Sequence, residues 1–224
     1  MDLNDLKFKH PFTMIVSGQT SSGKTVLVRR ILNHWEKLID INKSDFNVLW
    51  CYGQMQNLYH ETVPNVNINY FYGKPTENTL NEYNPDLIVL DDLMNELKDD
   101  QKTSDLFTKY SHHKNISVIF IIQNIFNQGK YMRNISLNSH YIIVMNGVRS
   151  SQQIVVLGSQ IFAGKTKALR EVFNKATSRS YGYLLFDLHP RTNQKFRLRT
   201  RITPEEVPEH LSKRNSITPI FYEI

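Results

Sequence analysis

Five short, mostly apolar runs bounded by polar or turn-forming residues predict buried β-strands. They are Phe12–Val16, Asn47–Tyr52, Leu87–Leu90, Ile116–Ile122 and Tyr141–Met145. Apolar residues recur at helical spacing from Thr25 to Ile39, after the first run. Residues 93–113 are also predicted to be helical, and so are residues 151–173, around a glycine-containing break. Strands that alternate with helices predict an α/β fold with a mostly parallel central sheet flanked by helices.

The C-terminal part of the chain has a different pattern. Tyr183–Leu188 and Phe196–Ile202 flank turn-forming residues and predict a β-hairpin over about 181–202. We therefore expect one domain over 1–202, followed by an extended tail over 203–224 that contains three prolines. The polar, asparagine-rich residues 53–84 give no clear pattern.

Composition narrows the class of protein. Of the 224 residues, 40% are hydrophobic and 21% charged, as in soluble globular proteins, and no run approaches the roughly 18 apolar residues of a membrane span. The N-terminus does not resemble a secretory signal, and the single Cys51 cannot form an intramolecular disulfide. We expect an intracellular protein without a membrane partner.

The formal net charge of +6 suits a polyanionic partner. Between Lys175 and Arg201 there are seven basic residues and one acidic residue, Asp187, so this segment alone can account for the excess. This basic segment covers nearly all of the predicted hairpin.

The strongest motif follows the first predicted strand and opens the first predicted helix. It consists of Gly18, Gln19, Thr20, Ser21, Ser22, Gly23, Lys24 and Thr25, which match the P-loop pattern at every required position. Glycines let backbone N–H groups surround phosphates, and the helix N-terminus adds its dipole. Lys24 is expected to reach the β- and γ-phosphates of ATP, and Thr25 to place its hydroxyl on Mg²⁺.

A P-loop requires an acidic partner at the end of a neighbouring strand, because Mg²⁺ prefers oxygen ligands. Asp91 and Asp92 end the Leu87–Leu90 run. We expect Asp91 to hold the metal and Asp92 to polarise the water that attacks the γ-phosphate. The alternative is that either residue caps the following helix.

Three further residues are candidates for catalysis. Gln123 closes the Ile116–Ile122 run, where its amide could touch the γ-phosphate and the attacking water, although it could equally be a simple strand end. Arg149 and Arg133 are candidates to neutralise the transferring phosphoryl group from a neighbouring subunit; the alternative for each is a surface salt bridge.

The order of motifs resembles that of a known family. G-Q-T-S-S-G-K-T, L-I-V-L-D-D-L-M, S-H-H-K-N-I-S-V-I-F-I-I-Q-N and Q-G-K-Y-M-R-N-I-S-L-N-S-H-Y occur in the order seen in viral DNA-packaging ATPases of the FtsK–HerA superfamily. The chain looks closest to those of Polinton/Maverick elements and adintoviruses, relatives of the poxvirus packaging ATPase. The resemblance covers about Phe12 to Ile202.

The resemblance implies an additional-strand, RecA/FtsK-like P-loop NTPase fold, in which the strand ending at Gln123 lies between the P-loop strand and the strand ending at Asp91. It also implies a ring-shaped oligomer that translocates double-stranded DNA into a capsid, with Asp91 as the Walker B aspartate, Gln123 as the sensor and Arg149 or Arg133 as the trans finger. Many superfamily members have glutamate where this chain has the shorter Asp92.

Arg197, Arg199 and Arg201 alternate along the second predicted hairpin strand and would therefore project from one face. We expect this face to grip DNA phosphates regardless of sequence, and a solvated or interface-forming face is the alternative.

Together these features predict a DNA-packaging motor subunit that uses ATP and Mg²⁺, forms a ring with copies of itself and docks on a capsid or portal-vertex protein. The expected location is the host nucleus or the virus assembly site, or the virion. A P-loop nucleoside or nucleotide kinase and a non-translocating, ATP-dependent capsid assembly factor are the alternatives.

Overall fold

A computed structural model describes residues 6–64, 66–93, 114–126, 134–206 and 219–224. Its strands are β1 Phe8–Lys9, β2 Thr13–Ser17, β3 Ile39–Asp40, β4 Asn47–Tyr52, β5 Asn67–Tyr72, β6 Leu87–Asp91, β7 Ser117–Ile122, β8 Tyr141–Met145, β9 Tyr183–Asp187, β10 Leu198–Thr200 and β11 Ile220–Tyr222. Its α-helices are α1 Lys24–Asn33, α2 Trp35–Leu38, α3 Glu77–Tyr83, α4 Ser150–Ile161 and α5 Thr166–Ala176. All five predicted strands are confirmed, to within a residue at each end.

The central sheet has the predicted architecture. Nine strands within the described ranges lie in the order β11-β10-β9-β8-β2-β7-β6-β4-β5, and the six strands from β8 to β5 run parallel. Strand β7 lies between β2, which leads into the P-loop, and β6, which ends at Asp91. The additional-strand arrangement is confirmed.

Both faces of the sheet are covered, as a parallel sheet requires. Along β6, Leu87 and Val89 pack in the core on the side of α1, whereas Ile88 and Leu90 pack in the core on the side of α4 and α5. The apolar run of β6 is therefore continuous because alternate residues fill two cores.

Residues 53–84, which gave no pattern, contain a 3-10 helix at Asn57–His60, the edge strand β5 and the helix α3. Strand β5 pairs in parallel with β4, and its residues are only partly buried or exposed. An edge strand with half-exposed aromatic residues lacks both the continuous apolar run and the strict alternation that mark buried strands.

The C-terminal hairpin forms, since β9 pairs antiparallel with β10. Within the segment that was expected to be a tail, Ile220–Tyr222 pairs antiparallel with β10 as the edge strand of the sheet. The predicted helix over 93–113 lies, apart from Leu93, outside the described residues. None of the described helices combines the length and the apolar character of a membrane span.

Candidate nucleotide-binding site

The P-loop motif connects β2 to α1 as a tight turn. Gly23 precedes α1 with φ of 92°, in the left-handed region that favours glycine. A Cβ on Gly18 would lie 2.6 Å from Ser22 Oγ and 2.7 Å from Met145 Cβ, so only glycine fits there. The loop therefore presents its backbone at the N-terminus of a ten-residue helix, which is the arrangement that binds phosphate groups.

Lys24 is held within this loop. Its Nζ donates hydrogen bonds to the carbonyl oxygens of Gly18 at 2.7 Å and Gln19 at 2.9 Å. Burial lowers the pKa of Lys24, and the nearby Asp91 and Asp92 carboxylates oppose that shift. The ammonium group is thus fixed beside the backbone amides and faces two negative charges.

Asp91 ends β6 with only 3% of its surface exposed. Its Oδ2 accepts a hydrogen bond from Thr25 Oγ1 at 3.2 Å and another from the Tyr59 hydroxyl at 2.9 Å. Burial raises the pKa of Asp91, and the Tyr59 and Thr25 hydrogen bonds partly offset the rise. The first residues of α1 and the end of β6 therefore meet at one edge of the sheet, as the sequence predicted.

Asp92 and Gln123 are both exposed and line one cleft with Lys24, Thr25 and Asp91. Asp92 has φ of 56°, a left-handed conformation that ends β6 and turns the chain. The structure thus brings the predicted water-activating residue, the predicted sensor and the P-loop lysine to the same cleft. Their catalytic roles stay predictions.

The residues of this cleft fit Mg²⁺. A threonine hydroxyl and a buried carboxylate supply hard oxygen donors, which Mg²⁺ prefers. No cluster of three histidine, cysteine or acidic residues occurs within the described ranges. The pair formed by the Thr25 hydroxyl and the Asp91 carboxylate suits a metal that is held by one carboxylate and by substrate phosphates rather than by many protein ligands.

Comparison with known proteins bears on the fold. The sequence matches no protein-family model and no curated protein. Among solved structures, the DNA-packaging ATPase B204 of Sulfolobus turreted icosahedral virus is similar, with a TM-score of 0.55 and 12% identity over 81% of this chain and 94% of that chain. The genome-packaging NTPase B204 of Sulfolobus turreted icosahedral virus 2, in complex with ATP-gammaS, gives 0.54 and 12% over 84% and 94%. The chain shares the fold of these packaging NTPases.

One of the two arginine candidates for the finger, Arg149, lies within the described residues. Arg149 is exposed and precedes α4. It follows Gly147 by two residues, and a Cβ added to Gly147 would lie 3.2 Å from the Gln19 side chain. The loop that carries Arg149 therefore packs against the P-loop. Arg133 lies outside the described residues.

The predicted DNA-gripping face is wrong for Arg199. Only 1% of its surface is exposed, and its Nη2 donates to Asp187 Oδ2 at 2.8 Å. Arg197 donates to the Asp187 backbone carbonyl at 3.1 Å, and Arg201 is half-buried with φ of 56°. Alternation fails because β10 ends at Thr200, so Arg197 lies before it in a helical conformation and Arg201 lies after it in a left-handed one.

Two residues that bond to the candidate site or to the strands beside it were not found from the sequence. Tyr59 reaches Asp91 from the uninterpreted segment 53–84. Gln153 of α4 accepts hydrogen bonds through Oε1 from Ser17 Oγ at 2.7 Å and from the Ile125 backbone N–H at 3.1 Å, which joins the end of β2 to the segment after β7. Neither residue lies in a motif with defined spacing, so only the tertiary structure identifies them.

Proposed function

We propose that this chain is an ATP-hydrolysing motor subunit that translocates double-stranded viral DNA into a capsid, related to the packaging ATPases of Polinton/Maverick elements, adintoviruses and poxviruses. It would act at the host nucleus or virus assembly site, or with the virion. Within it, the P-loop binds the triphosphate and the cleft beside Asp91 carries the hydrolysis.

The observation that supports this proposal most directly is the hydrogen bond between Thr25 and Asp91. It joins a phosphate-binding loop to a buried carboxylate 66 residues further along the chain, in a fold shared with solved DNA-packaging NTPases. A chance P-loop match would not place a buried acid at its own threonine.

Hydrolysis assigns a task to each side chain of the cleft. The loop amides and Lys24 bind the phosphates, and Thr25 and Asp91 would hold Mg²⁺, which when bound neutralises phosphate charge. Gln123 orients the attacking water, and Asp92 accepts its proton as the bond from the γ-phosphorus to the leaving oxygen breaks. This division fits the burial, because Asp92 is exposed to water whereas only 3% of the Asp91 surface is exposed.

Packaging also needs partners. In the proposed ring, Arg149 or Arg133 of one subunit serves the nucleotide of its neighbour, and a capsid or portal-vertex protein anchors the ring. Arg149 is exposed, as a finger must be. DNA contact by the C-terminal hairpin would rely on Arg201 and on the exposed Arg191 and Lys195 near its turn, since Arg199 is buried.

The test measures ATP hydrolysis by the purified protein with and without long duplex DNA, together with the mass of the oligomer under the same conditions. We expect DNA to stimulate hydrolysis by an assembled ring, and Asp92→Asn to abolish turnover and packaging together. Phosphorylation of a nucleoside instead would identify a kinase. Packaging that survives Asp92→Asn without turnover would identify an assembly factor and refute the motor.

A further inference from the structure

Asp91 is held by two hydroxyl groups that come from different parts of the chain. Thr25 lies on α1, and Tyr59 lies on the 3-10 helix Asn57–His60. We propose that Tyr59 is a positioning residue for the metal site: its hydroxyl fixes the Asp91 carboxylate in the orientation that binds Mg²⁺. This inference rests on the proposed function, because it concerns the metal of the same ATP site.

Both hydrogen bonds end on the same oxygen, Asp91 Oδ2. Two hydroxyl donors on one oxygen restrict the rotation of the carboxylate, which otherwise has a broad torsional preference. Within the described residues, no side chain donates a hydrogen bond to Oδ1, so this oxygen is left for a cation in the cleft that Asp91 lines. Residues that orient a metal-binding carboxylate in this way affect metal affinity without touching the metal.

The position of the Tyr59 hydroxyl is itself fixed by aromatic packing. Tyr59 is 6% exposed, and its ring stacks on that of Tyr70 with centroids 5.1 Å apart and planes at 29°. Trp50 and Tyr52 of β4 pack against the same ring at 5.8 Å and 5.1 Å. Three aromatic neighbours leave the phenol little freedom to turn away from Asp91.

This packing is tied back to the P-loop helix through Arg29. Its Nη1 donates to the Tyr70 hydroxyl at 2.8 Å, and its Nη2 donates to the Glu61 backbone carbonyl at 2.8 Å. Arg29 follows Thr25 by four residues, so both lie on one face of α1. The helix that supplies Thr25 to Asp91 thus also anchors the segment that supplies Tyr59, and the contacts close a loop around the metal site.

Tyr59 offers the group that this role needs, because its hydroxyl donates a hydrogen bond to Asp91 Oδ2 at 2.9 Å. A residue that served packing alone would not need the hydroxyl, and phenylalanine would serve equally well. The hydroxyl is therefore the group to remove.

The experiment compares Tyr59→Phe with Tyr72→Phe, which removes an exposed hydroxyl from the neighbouring strand β5. The dissociation constant of a non-hydrolysable ATP analogue is measured for each protein in EDTA and at increasing Mg²⁺ concentrations. For Tyr59→Phe we expect unchanged affinity in EDTA and a roughly tenfold higher half-saturating Mg²⁺ concentration. Tyr72→Phe should match wild type throughout.

Two outcomes would overturn the inference. An equal Mg²⁺ requirement in wild type and Tyr59→Phe would show that the hydroxyl does not position Asp91. An equal loss of affinity in EDTA and in Mg²⁺, with a lower Tm, would show that Tyr59 acts through packing. If wild type bound no nucleotide, the proposed function would fail as well, which separates that failure from the first two.

Discussion

Two buried aspartates at opposite regions of the sheet show how the same side chain can serve two purposes. Asp91, 3% exposed, ends β6 at the nucleotide cleft, and Asp187, 1% exposed, ends β9 in the C-terminal hairpin. Asp187 accepts from the Arg199 guanidinium at 2.8 Å, so its charge is matched inside the protein. In the described part of the chain, the hydrogen bonds to the Asp91 carboxylate come from the neutral hydroxyls of Thr25 and Tyr59.

The two sites differ in whether a positive side chain bonds directly to the carboxylate and balances its charge. Burial raises the pKa of both aspartates, and the guanidinium opposes the rise at Asp187. The Lys24 ammonium lowers the pKa of Asp91 less than the hydrogen bonds from Tyr59 and Thr25 do, and Lys24 Nζ donates to loop carbonyls instead. A buried carboxylate with neutral direct partners retains negative charge for a cation, whereas an ion-paired one does not.

The largest expected effect follows from breaking the pair. Asp187→Asn leaves the Arg199 charge buried without a counter-ion, so we expect the free energy of unfolding to fall by about 3–5 kcal/mol, measured by denaturant titration. Asp45→Asn, the same change at an exposed aspartate, should stay within about 0.5 kcal/mol of wild type.

A double variant sharpens this result. Arg199 Nε and Nη1 have no hydrogen-bond partner among the described residues, so the pair is incompletely satisfied. Asp187→Asn combined with Arg199→Met removes the orphaned charge and should recover most of the lost stability. A double variant no more stable than Asp187→Asn alone would show that the loss does not arise from an unpaired charge.

The position of Asp91 beside Thr25 could be predicted from the sequence, whereas the burial of Arg199 with Asp187 could not. The P-loop and the aspartate that ends a buried strand are local patterns, each with a defined chemistry, so Asp91 could be placed beside Thr25 before any coordinates existed. Arg199 was expected to face DNA because alternation was extended across residues that the folded chain does not keep in one strand. Arg199 is instead buried with Asp187 and lies over the Phe8 ring, and no local pattern encodes contacts between such distant segments.

Tyr59 marks a second limit. Its hydroxyl reaches Asp91 across 32 residues, from a segment whose asparagines and tyrosines fit no single period. Contacts of that separation depend on how β4, β5 and β6 pair, and the register of an edge strand is weakly specified by its own residues. The pairing of Thr25 with Asp91 was therefore predictable, and the hydrogen bond from Tyr59 to the same carboxylate was not.

The same asparagine substitution at Asp91 should act in the opposite direction. In the folded state the raised pKa disfavours the ionised carboxylate, so Asp91→Asn should leave stability unchanged or raise it by about 1 kcal/mol in the absence of nucleotide. Because folding disfavours ionisation of Asp91, wild type should lose stability relative to the variant as the pH rises from 3.8, the ordinary pKa of an aspartate, through the raised pKa of Asp91. Unfolding titrations of both proteins across pH 3 to 8 measure the difference.

Nucleotide binding provides the matching control for this variant. Asp91→Asn should lose the gain in ATP affinity that Mg²⁺ gives wild type, because an amide cannot balance the charge of the cation. If Asp91→Asn were instead as destabilising as Asp187→Asn, the carboxylate would have a structural counter-charge, and the contrast between the two aspartates would not hold.

The smallest expected effect concerns DNA and tests whether the hairpin contributes exposed charge. Arg201 is half-buried, whereas Arg199 is enclosed with Asp187, so of these two arginines only Arg201 can neutralise a phosphate. Arg201→Gln should reduce the slope of log affinity against log salt concentration by about one. The double variant Asp187→Asn with Arg199→Met lacks the Arg199 charge in a folded protein, and it should bind DNA with the wild-type slope. A smaller slope in the double variant would mean that Arg199 leaves its ion pair to bind DNA, and an unchanged slope in Arg201→Gln would place the DNA contact on another surface.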